Sequence, residues 1–311
     1  MNQNAENKFF FLINPNAGNE DGEREWPRIS ELLNKNNITF EFAFTERIGH
    51  AEEIISEKIS SGWRNFVVVG GDGTLNETIN AVFKQNSVPT TEINLGLMQM
   101  GTGNDWARYY GFDTDYQKVI NRLLTGKTKR QDVGKISYVA NGDIRQAYFI
   151  NIAGLCFDSV VVKATNRMKE RGKRTKSAYI ISLLRSLIKY KPWHLKITIN
   201  DEILEGKFLS ISIGNGKYSG GGMMQTPDAV IDDGWLHVTI YENMPKFKIV
   251  TNIKKLYSGT ILNVNGVRSF KTKEFKIESQ ETIFAETDGE IIGSTPYLIG
   301  IVPNSVNVFV D

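Results

Sequence analysis

Residues 70 to 77 read Gly70-Gly71-Asp72-Gly73-Thr74-Leu75-Asn76-Glu77, directly after the apolar run Phe66, Val67, Val68 and Val69. The run reads as a buried strand and the glycines as the turn that ends it. Three glycines within four residues let the backbone turn with positive φ and bring N–H groups close to an anion. Asp72 adds a carboxylate within reach of a metal or its water. Thr74, Asn76 and Glu77 then place polar groups where a helix begins, with Ile79, Val82 and Phe83 as its inward side. The plain alternative is a tight strand-to-helix turn whose glycines serve only geometry. There is no Gly-x-x-x-x-Gly-Lys-Ser/Thr, so any phosphate cradle here is of another kind than the common nucleoside-triphosphate loop. The stretch predicts a nucleotide-dependent phosphoryl transferase.

Outward from that turn, short apolar strands alternate with helical patterns, the signature of an α/β domain with a parallel sheet. Strands are predicted at Phe9 to Asn14, Ile38 to Phe44, Phe66 to Val69 and Ile93 to Met98. Helices follow from Trp26, Ile29, Leu32 and Leu33, from Ala51, Ile54, Ile55 and Ile59, and from Tyr116, Val119, Ile120, Leu123 and Leu124. Four loops rich in small or polar residues sit just beyond apolar strands: Asn14 to Gly18, Thr45 to His50, Gly70 to Thr74 and Gly101 to Asp105. Open α/β sheets bind ligands at the carboxyl ends of their strands, so these four loops predict a nucleotide cleft.

From about Asp132 the texture changes to short alternating segments: Tyr148 to Ile152, Leu195 to Ile199, Phe208 to Ile213, Leu236 to Tyr241 and Val306 to Val310. They predict a mostly antiparallel β domain, with the boundary near 132 and domains of 1–132 and 133–311, the last residues returning toward the first. This part has its own cluster, Gly214-Asn215-Gly216 and Gly220-Gly221-Gly222, followed by Asp228 and by Asp232-Asp233-Gly234. Neighbouring carboxylates on a loop suit a hard cation such as magnesium or calcium, or else form a solvated acidic turn. Asp288-Gly289-Glu290 lies between apolar segments, where Asp-Gly usually makes a hairpin turn.

Composition narrows the classes. With 311 residues and 41% hydrophobic content, the chain can build one large or two ordinary cores. Lys and Arg number 37 against 35 Asp and Glu, a formal charge of +2 that exerts no global pull on nucleic acid. The one cysteine, Cys156, excludes an intrachain disulfide, fits a cytoplasmic setting and reads as core packing. The run Phe9 to Ile13 is too short for a secretion signal or a membrane span.

One charge asymmetry stands out. Between Lys163 and Lys191, ten Lys and Arg residues face the single acid Glu170, and the second half adds Tyr179, Ile180, Leu183, Leu184 and Leu187 at helical spacing. The segment suits either a helix on the β domain or one that docks at an anionic membrane surface. Strands at a sheet edge would also allow two copies to pair as a homodimer.

Taken in order, these elements resemble the diacylglycerol kinase catalytic domain shared by bacterial lipid kinases and by sphingosine and ceramide kinases. The resemblance rests on Asn14-Pro15 with Gly18, Thr45 with His50-Ala51, the Gly70 to Glu77 stretch, Gly101-Thr102 with Asn104-Asp105, Asp132, the stretch from Gly214 to Asp233, and Asp288-Gly289-Glu290. NAD kinases and phosphofructokinases share Gly-Gly-Asp-Gly, but not this order and spacing. The chain departs in having Gln99 where such kinases usually carry a proline, and Asn19 and Glu20 where they often carry a lysine, which leaves Arg24 as the substitute near the phosphates.

The resemblance implies a two-domain fold, a nucleotide-binding α/β domain followed by an antiparallel β-sandwich domain similar to that of NAD kinase, with ATP in the cleft. It places Asn14, Thr45, Gly70, Gly71, Gly73, Thr74, Asn76, Glu77, Gly101 and Thr102 at the nucleotide. It assigns magnesium to Asp72, backed by Asp105 and Asp132, and a second, structural magnesium to Asp232 or Asp233. Asp288 matches the general base toward a lipid hydroxyl, with Glu290 beside it. The implied activity is ATP-dependent phosphorylation of diacylglycerol or a related lipid by a cytoplasmic, peripherally membrane-associated enzyme. A NAD kinase-like enzyme and a non-catalytic lipid or nucleotide sensor are the alternatives.

Overall fold

The computed structural model describes residues 8–18, 21–101, 103–170, 186–187 and 190–311. It divides into two compact units, one of residues 1–131 with 304–311 and one of residues 132–303.

The first unit alternates strand and helix. Its elements are β1 (Lys8–Ile13), α1 (Asp21–Lys35), β2 (Thr39–Phe44), α2 (His50–Ser60), β3 (Asn65–Gly70), α3 (Asp72–Lys84), β4 (Asn94–Gln99), α4 (Asp105–Tyr110) and α5 (Tyr116–Thr125). The four strands pair in parallel in the order β2, β1, β3, β4. The register explains the unbroken apolar runs, because a strand covered on both faces has no polar side to show. On β1, Phe9, Phe11 and Ile13 join Trp26, Ile29 and Leu33 of α1 and Val119, Ile120 and Leu123 of α5 in one core. Phe10 points the other way, edge-on to Trp63 at 5.6 Å and Phe66 at 6.2 Å. The parallel crossings bring the carboxyl ends of all four strands to one edge.

The chain leaves this unit along β5 (Thr128–Ala140) and continues through β6 (Asp143–Phe149), β7 (Ile152–Cys156), α6 (Phe157–Glu170), β8 (Trp193–Ile199), β9 (Glu202–Gly214), β10 (Tyr218–Ser219), β11 (Met223–Met224), β12 (Leu236–Glu242), α7 (Lys246–Tyr257), β13 (Val267–Thr272), β14 (Glu274–Glu278), β15 (Phe284–Thr287) and β16 (Glu290–Phe309). The long strands β9 and β16 each serve two partners in succession. The first half of β9 pairs β8 and the second half pairs β7, while β16 pairs first β15 and then β14. With β14 against β8 and β15 against β7, the strands close into a ring around an apolar core that includes Ile197, Ile211, Ile213, Ile277 and Ile299. Every pairing in the ring is antiparallel.

Two predicted strands come out differently. The segment Tyr148 to Ile152 is broken: β6 stops at Phe149, Ile150 and Asn151 bend, and β7 starts at Ile152. The cause is a carboxylate that draws the three amides away from any ladder, described below. Val306 to Val310, expected in the antiparallel part, runs parallel to β4 with Asn307 opposite Asn94, so the chain's last residues close the sheet of the first unit. The buried Arg122 holds the end of the chain there, donating through Nε at 2.9 Å and Nη2 at 3.1 Å to the carboxylate of Asp311.

Gly22, in the first turn of α1, lets the helix start press onto the β1 loop. A Cβ at that position would stand 2.0 Å from the carbonyl oxygen of Asn14. Gly22→Ala is expected to destabilise the protein by about 1–3 kcal/mol, as overpacking does when the obstacle is backbone, which urea denaturation would read as a lower midpoint.

Candidate functional site

In the first unit the four predicted loops are joined by side chains from the opening turns of α3. Asn14 Nδ2 donates to Thr74 Oγ1 at 3.0 Å, tying the loop after β1 to the turn after β3. Glu77 accepts from the N–H groups of Gly49 at 3.0 Å and Ala51 at 3.2 Å, so it satisfies the exposed amides at the start of α2 and fixes the loop after β2. Asp72 does the same for α4: its carboxylate accepts from the amides of Asp105 at 3.2 Å and Trp106 at 3.4 Å. Thr45 is buried, its amide donating to the carbonyl of Ile13 at 2.8 Å. Asn76, also buried, faces inward, where its Oδ1 accepts from Asn80 Nδ2 at 3.3 Å.

The glycines meet backbone to backbone. A Cβ on Gly71 would lie 3.3 Å from the Cα of Gly101, and one on Gly101 would lie 3.1 Å from the Cα of Gly71. Gly70 lies under Thr74, whose Oγ1 would be 3.0 Å from a Cβ there. Gly71 is the residue before α3, in an extended conformation, and Gly73 belongs to the first helical turn. The loop after β4 is clasped by Asn104, which accepts from the amide of Gly101 at 3.1 Å and donates to its carbonyl at 2.8 Å. Asn104 achieves this with φ +49°, a conformation asparagine tolerates. Thr102 lies outside the described residues, as do Asn19 and Glu20. Gln99 uses its amide to reach the carbonyl of Phe112 at 2.9 Å, and Arg24 pairs with Asp21 and Glu25.

Two hard oxygen donors converge on this turn. A Cβ on Gly103 would stand 3.1 Å from Asp72 Oδ2 and 3.5 Å from Asp105 Oδ2. This fits magnesium, which keeps several waters and is bound through one or two carboxylates together with substrate phosphates. Among the described residues no group of three or more His, Cys, Asp and Glu side chains is placed to form an all-protein metal site.

The second unit has its own constellation around the tip of the β15–β16 hairpin. Asp288 and Gly289 have φ of +47° and +93°, the two positive values of the tight turn that Asp-Gly favours. The Asp288 carboxylate accepts from the amides of Ile150 at 2.8 Å, Asn151 at 3.1 Å and Ile152 at 2.9 Å. The same turn is held from two further sides. Glu286 accepts from the Gly289 amide at 2.7 Å, and Asn166 of α6 donates to the Gly289 carbonyl at 3.1 Å. Glu290 is exposed, the first residue of β16, opposite Thr287.

Asp132 falls in the second unit and is fully buried. Its carboxylate accepts from the Gly234 amide at 2.6 Å, its amide donates to the carbonyl of Ile231 at 2.8 Å, and its carbonyl accepts from Asn215 Nδ2 at 2.7 Å. It thus shapes the loop that carries Asp232 and Asp233. Asp233 forms an ion pair with Lys271 at 2.8 Å, meets His237 Nε2 at 3.2 Å and accepts from the Trp235 amide at 3.1 Å. Hydrogen bonds and charge from Lys271 and His237 hold its carboxyl below the usual carboxylate range, although burial opposes them. Asp232 lies in the same turn, half-buried.

Sequence reasoning missed an acidic pair behind the hairpin tip, Glu286 buried and Asp158 half-buried. Asp158 accepts from Ser212 Oγ at 2.8 Å and Gln225 Nε2 at 3.2 Å, while Glu286 carries the Gly289 amide. Both acids crowd Gly154, where a Cβ would be 2.7 Å from Glu286 Oε1 and 3.0 Å from Asp158 Oδ2. Burial raises Asp158 to about 6 against the pull of its hydrogen bonds to Ser212, Ser210 and Gln225. Burial, then the charges of Asp158, Asp288 and Glu290, raises Glu286 well above the ordinary range, against the Gly289 amide. Neither residue stands in a motif, and neither an acid in the first turn of a helix, as Asp158 is, nor a single acid in a strand, as Glu286 is, carries a sequence signal of this pairing. Cys156, also buried, has its thiol pushed up by burial, as a packing residue should.

Between pH 3.8 and about 6 the folded state holds the Asp158 proton and the unfolded state has released it. Stability therefore falls as pH rises through that window. Asp158→Asn is expected to flatten the slope, seen as a melting temperature less dependent on pH from about 4 to about 6.

Comparison with known proteins agrees with this geometry. Residues 8–136 match the diacylglycerol kinase catalytic domain, and residues 152–310 match the YegS C-terminal NAD kinase beta sandwich-like domain. YtlR of Bacillus subtilis (strain 168), provisionally named a lipid kinase, is 27% identical over 311 residues, 96% of this chain and 98% of its own. A diacylglycerol kinase of Staphylococcus saprophyticus is 27% identical over 286 residues, 92% of this chain and 89% of its own. Among solved structures, a Bacillus anthracis diacylglycerol kinase shares the fold with a TM-score of 0.71 at 22% identity, covering 98% of this chain and 97% of its own. Yeast NADH kinase shares it more distantly, with a TM-score of 0.54 at 10% identity, covering 99% of this chain and 84% of its own. The chain belongs to the family of bacterial lipid kinases that join a diacylglycerol kinase catalytic domain to a YegS-type C-terminal domain.

Proposed function

We propose that the protein transfers the γ-phosphate of ATP to a hydroxyl of diacylglycerol or a related lipid, as a peripheral enzyme at an anionic membrane. The observation that carries this reading is the backbone contact of Gly71 with Gly101 beside Asp72 and Asp105, in a chain whose two domains match a lipid kinase family. Glycines there leave main-chain N–H groups for phosphate oxygens. Phosphoryl transfer asks the protein mainly for positioning and for neutralising oxygen charge, which rigid amides supply at low reorganisation cost. Asp72, with Asp105 through water, would hold magnesium, which when bound neutralises phosphate charge.

Asp288 accepts the proton of the lipid hydroxyl as that oxygen attacks the γ-phosphorus, and the bond to the bridging oxygen breaks to leave ADP. The three amides that grip its carboxylate fix its direction. No helix among the described residues is long and apolar enough to cross a membrane, so the lipid would be met at the surface. The basic stretch expected to dock there lies largely outside the described residues. Of its described part, Lys163 sits over the Phe284 ring at 5.7 Å.

Purified protein with labelled ATP, magnesium and vesicles containing diacylglycerol should yield labelled lipid. NAD in the same panel should stay unlabelled, and NADP formation would instead select the NAD kinase-like alternative. Asp288→Asn should lower turnover per folded molecule by about 10²- to 10⁴-fold, the usual worth of a general base, with nucleotide binding close to wild type and a lower melting temperature, because one of the acceptors of the three amides is lost. Retained turnover per folded molecule would reduce Asp288 to a turn residue, and binding of both ligands without transfer would indicate a sensor.

A further inference from the structure

Helix α7 carries apolar side chains on two neighbouring faces, and the protein covers only one. Ile249, Ile253 and Leu256 pack against the core of the second unit. The other arc of the helix carries Lys246, Phe247, Val250, Thr251, Lys254 and Tyr257, all exposed. Phe247 is 72% exposed, Val250 47% and Tyr257 43%. Single exposed apolar side chains are ordinary, but a contiguous set on one helical arc marks an interaction surface.

The charge on the helix says what kind of surface it meets. Its sequence, KFKIVTNIKKLY, holds four lysines and no acid. Lys254 and Lys255 in the last turn suit the helix dipole, but Lys246 and Lys248 in the first turn oppose it. Lys248 donates to the carbonyl of Asn265 at 2.7 Å, and the positive charge of a helix with four lysines and no acid complements an anionic surface. A second copy of the chain is disfavoured, because an isologous contact through this arc would set lysines against lysines. A mixed basic and aromatic arc is the pattern of helices that lie in the plane of a membrane interface.

We infer that α7 is an interfacial helix that docks the second unit onto an anionic lipid surface. Phe247, Val250 and Tyr257 enter the boundary between headgroups and acyl chains, and Lys254 and Lys255 meet lipid phosphates. The inward residues Ile249, Ile253 and Leu256 keep the helix fixed to the β domain, so the whole unit is carried to the membrane. The surface is independent of the phosphate turn and of Asp288, and its test involves no ATP.

The unlabelled protein is sedimented with phosphatidylcholine vesicles, with and without phosphatidylglycerol, and a Phe247→Cys variant carries an environment-sensitive dye. Cys156 is buried, so the dye reports position 247. Binding to the phosphatidylglycerol vesicles alone, a blue shift of the dye with them, and weakening by salt are expected. Lys254→Gln with Lys255→Gln should bind about 30-fold more weakly, and Phe247→Ser with Tyr257→Ser should also lose binding. All four positions lie on the rim or outer side of the helix, so unchanged melting temperatures will show that the variants fold. Variants that sediment like wild type, a dye that does not shift, or absence of wild-type binding would each overturn the inference. So would a dimer that the Phe247→Ser, Tyr257→Ser variant dissolves, which would give the arc to a second copy.

Discussion

Backbone N–H groups that leave a ladder or open a helix must find an acceptor, and in this protein carboxylates supply it at five places. Asp72 serves the start of α4, Glu77 the start of α2, Asp132 the Gly234 turn, Glu286 the Gly289 turn and Asp288 the break between β6 and β7. An amide left unpaired in a buried place costs about 1–3 kcal/mol, so each acid commits its loop to one conformation. The loops are thereby each fixed by an acceptor supplied from elsewhere in the chain.

The arrangement has a thermodynamic consequence in the second unit. Burying Asp158 and Glu286 around Gly154 holds two like charges in little space, and protonation relieves them. Their hydrogen bonds to Ser212, Gln225 and Gly289 show what is gained, a hairpin tip gripped from behind while Asp288 grips the amides in front. The tip is held from several directions by hydrogen bonds alone among the contacts described.

The first unit was legible in sequence because parallel strands covered on both faces are written as unbroken apolar runs, with helices between them at a different period. Phe66 to Val69 and Ile93 to Met98 gave their strands to within a residue, and the glycine motifs fall at the carboxyl ends of those strands. The second unit was legible only as a class. Its ring depends on β9 and β16 changing partners midway, a property of three-dimensional closure that local alternation does not encode. Residues 306–310 alternate as any strand would, and only their pairing with β4 assigns them to the first sheet.

The same division applies to the site. Residue types, their order and their spacing identified the family and singled out Asp72, Asp105 and Asp288, because glycine turns and acidic motifs are local and leave a mark in the chain. What each acid touches was decided by folding. Glu77 turned out to cap a helix distant in sequence, Asp158 and Glu286 became a close acidic pair without any motif, and Phe247, Val250 and Tyr257 were left exposed on α7. Hydrogen-bond partners and burial arise from segments brought together across the fold, and a linear pattern carries no record of which segments those are.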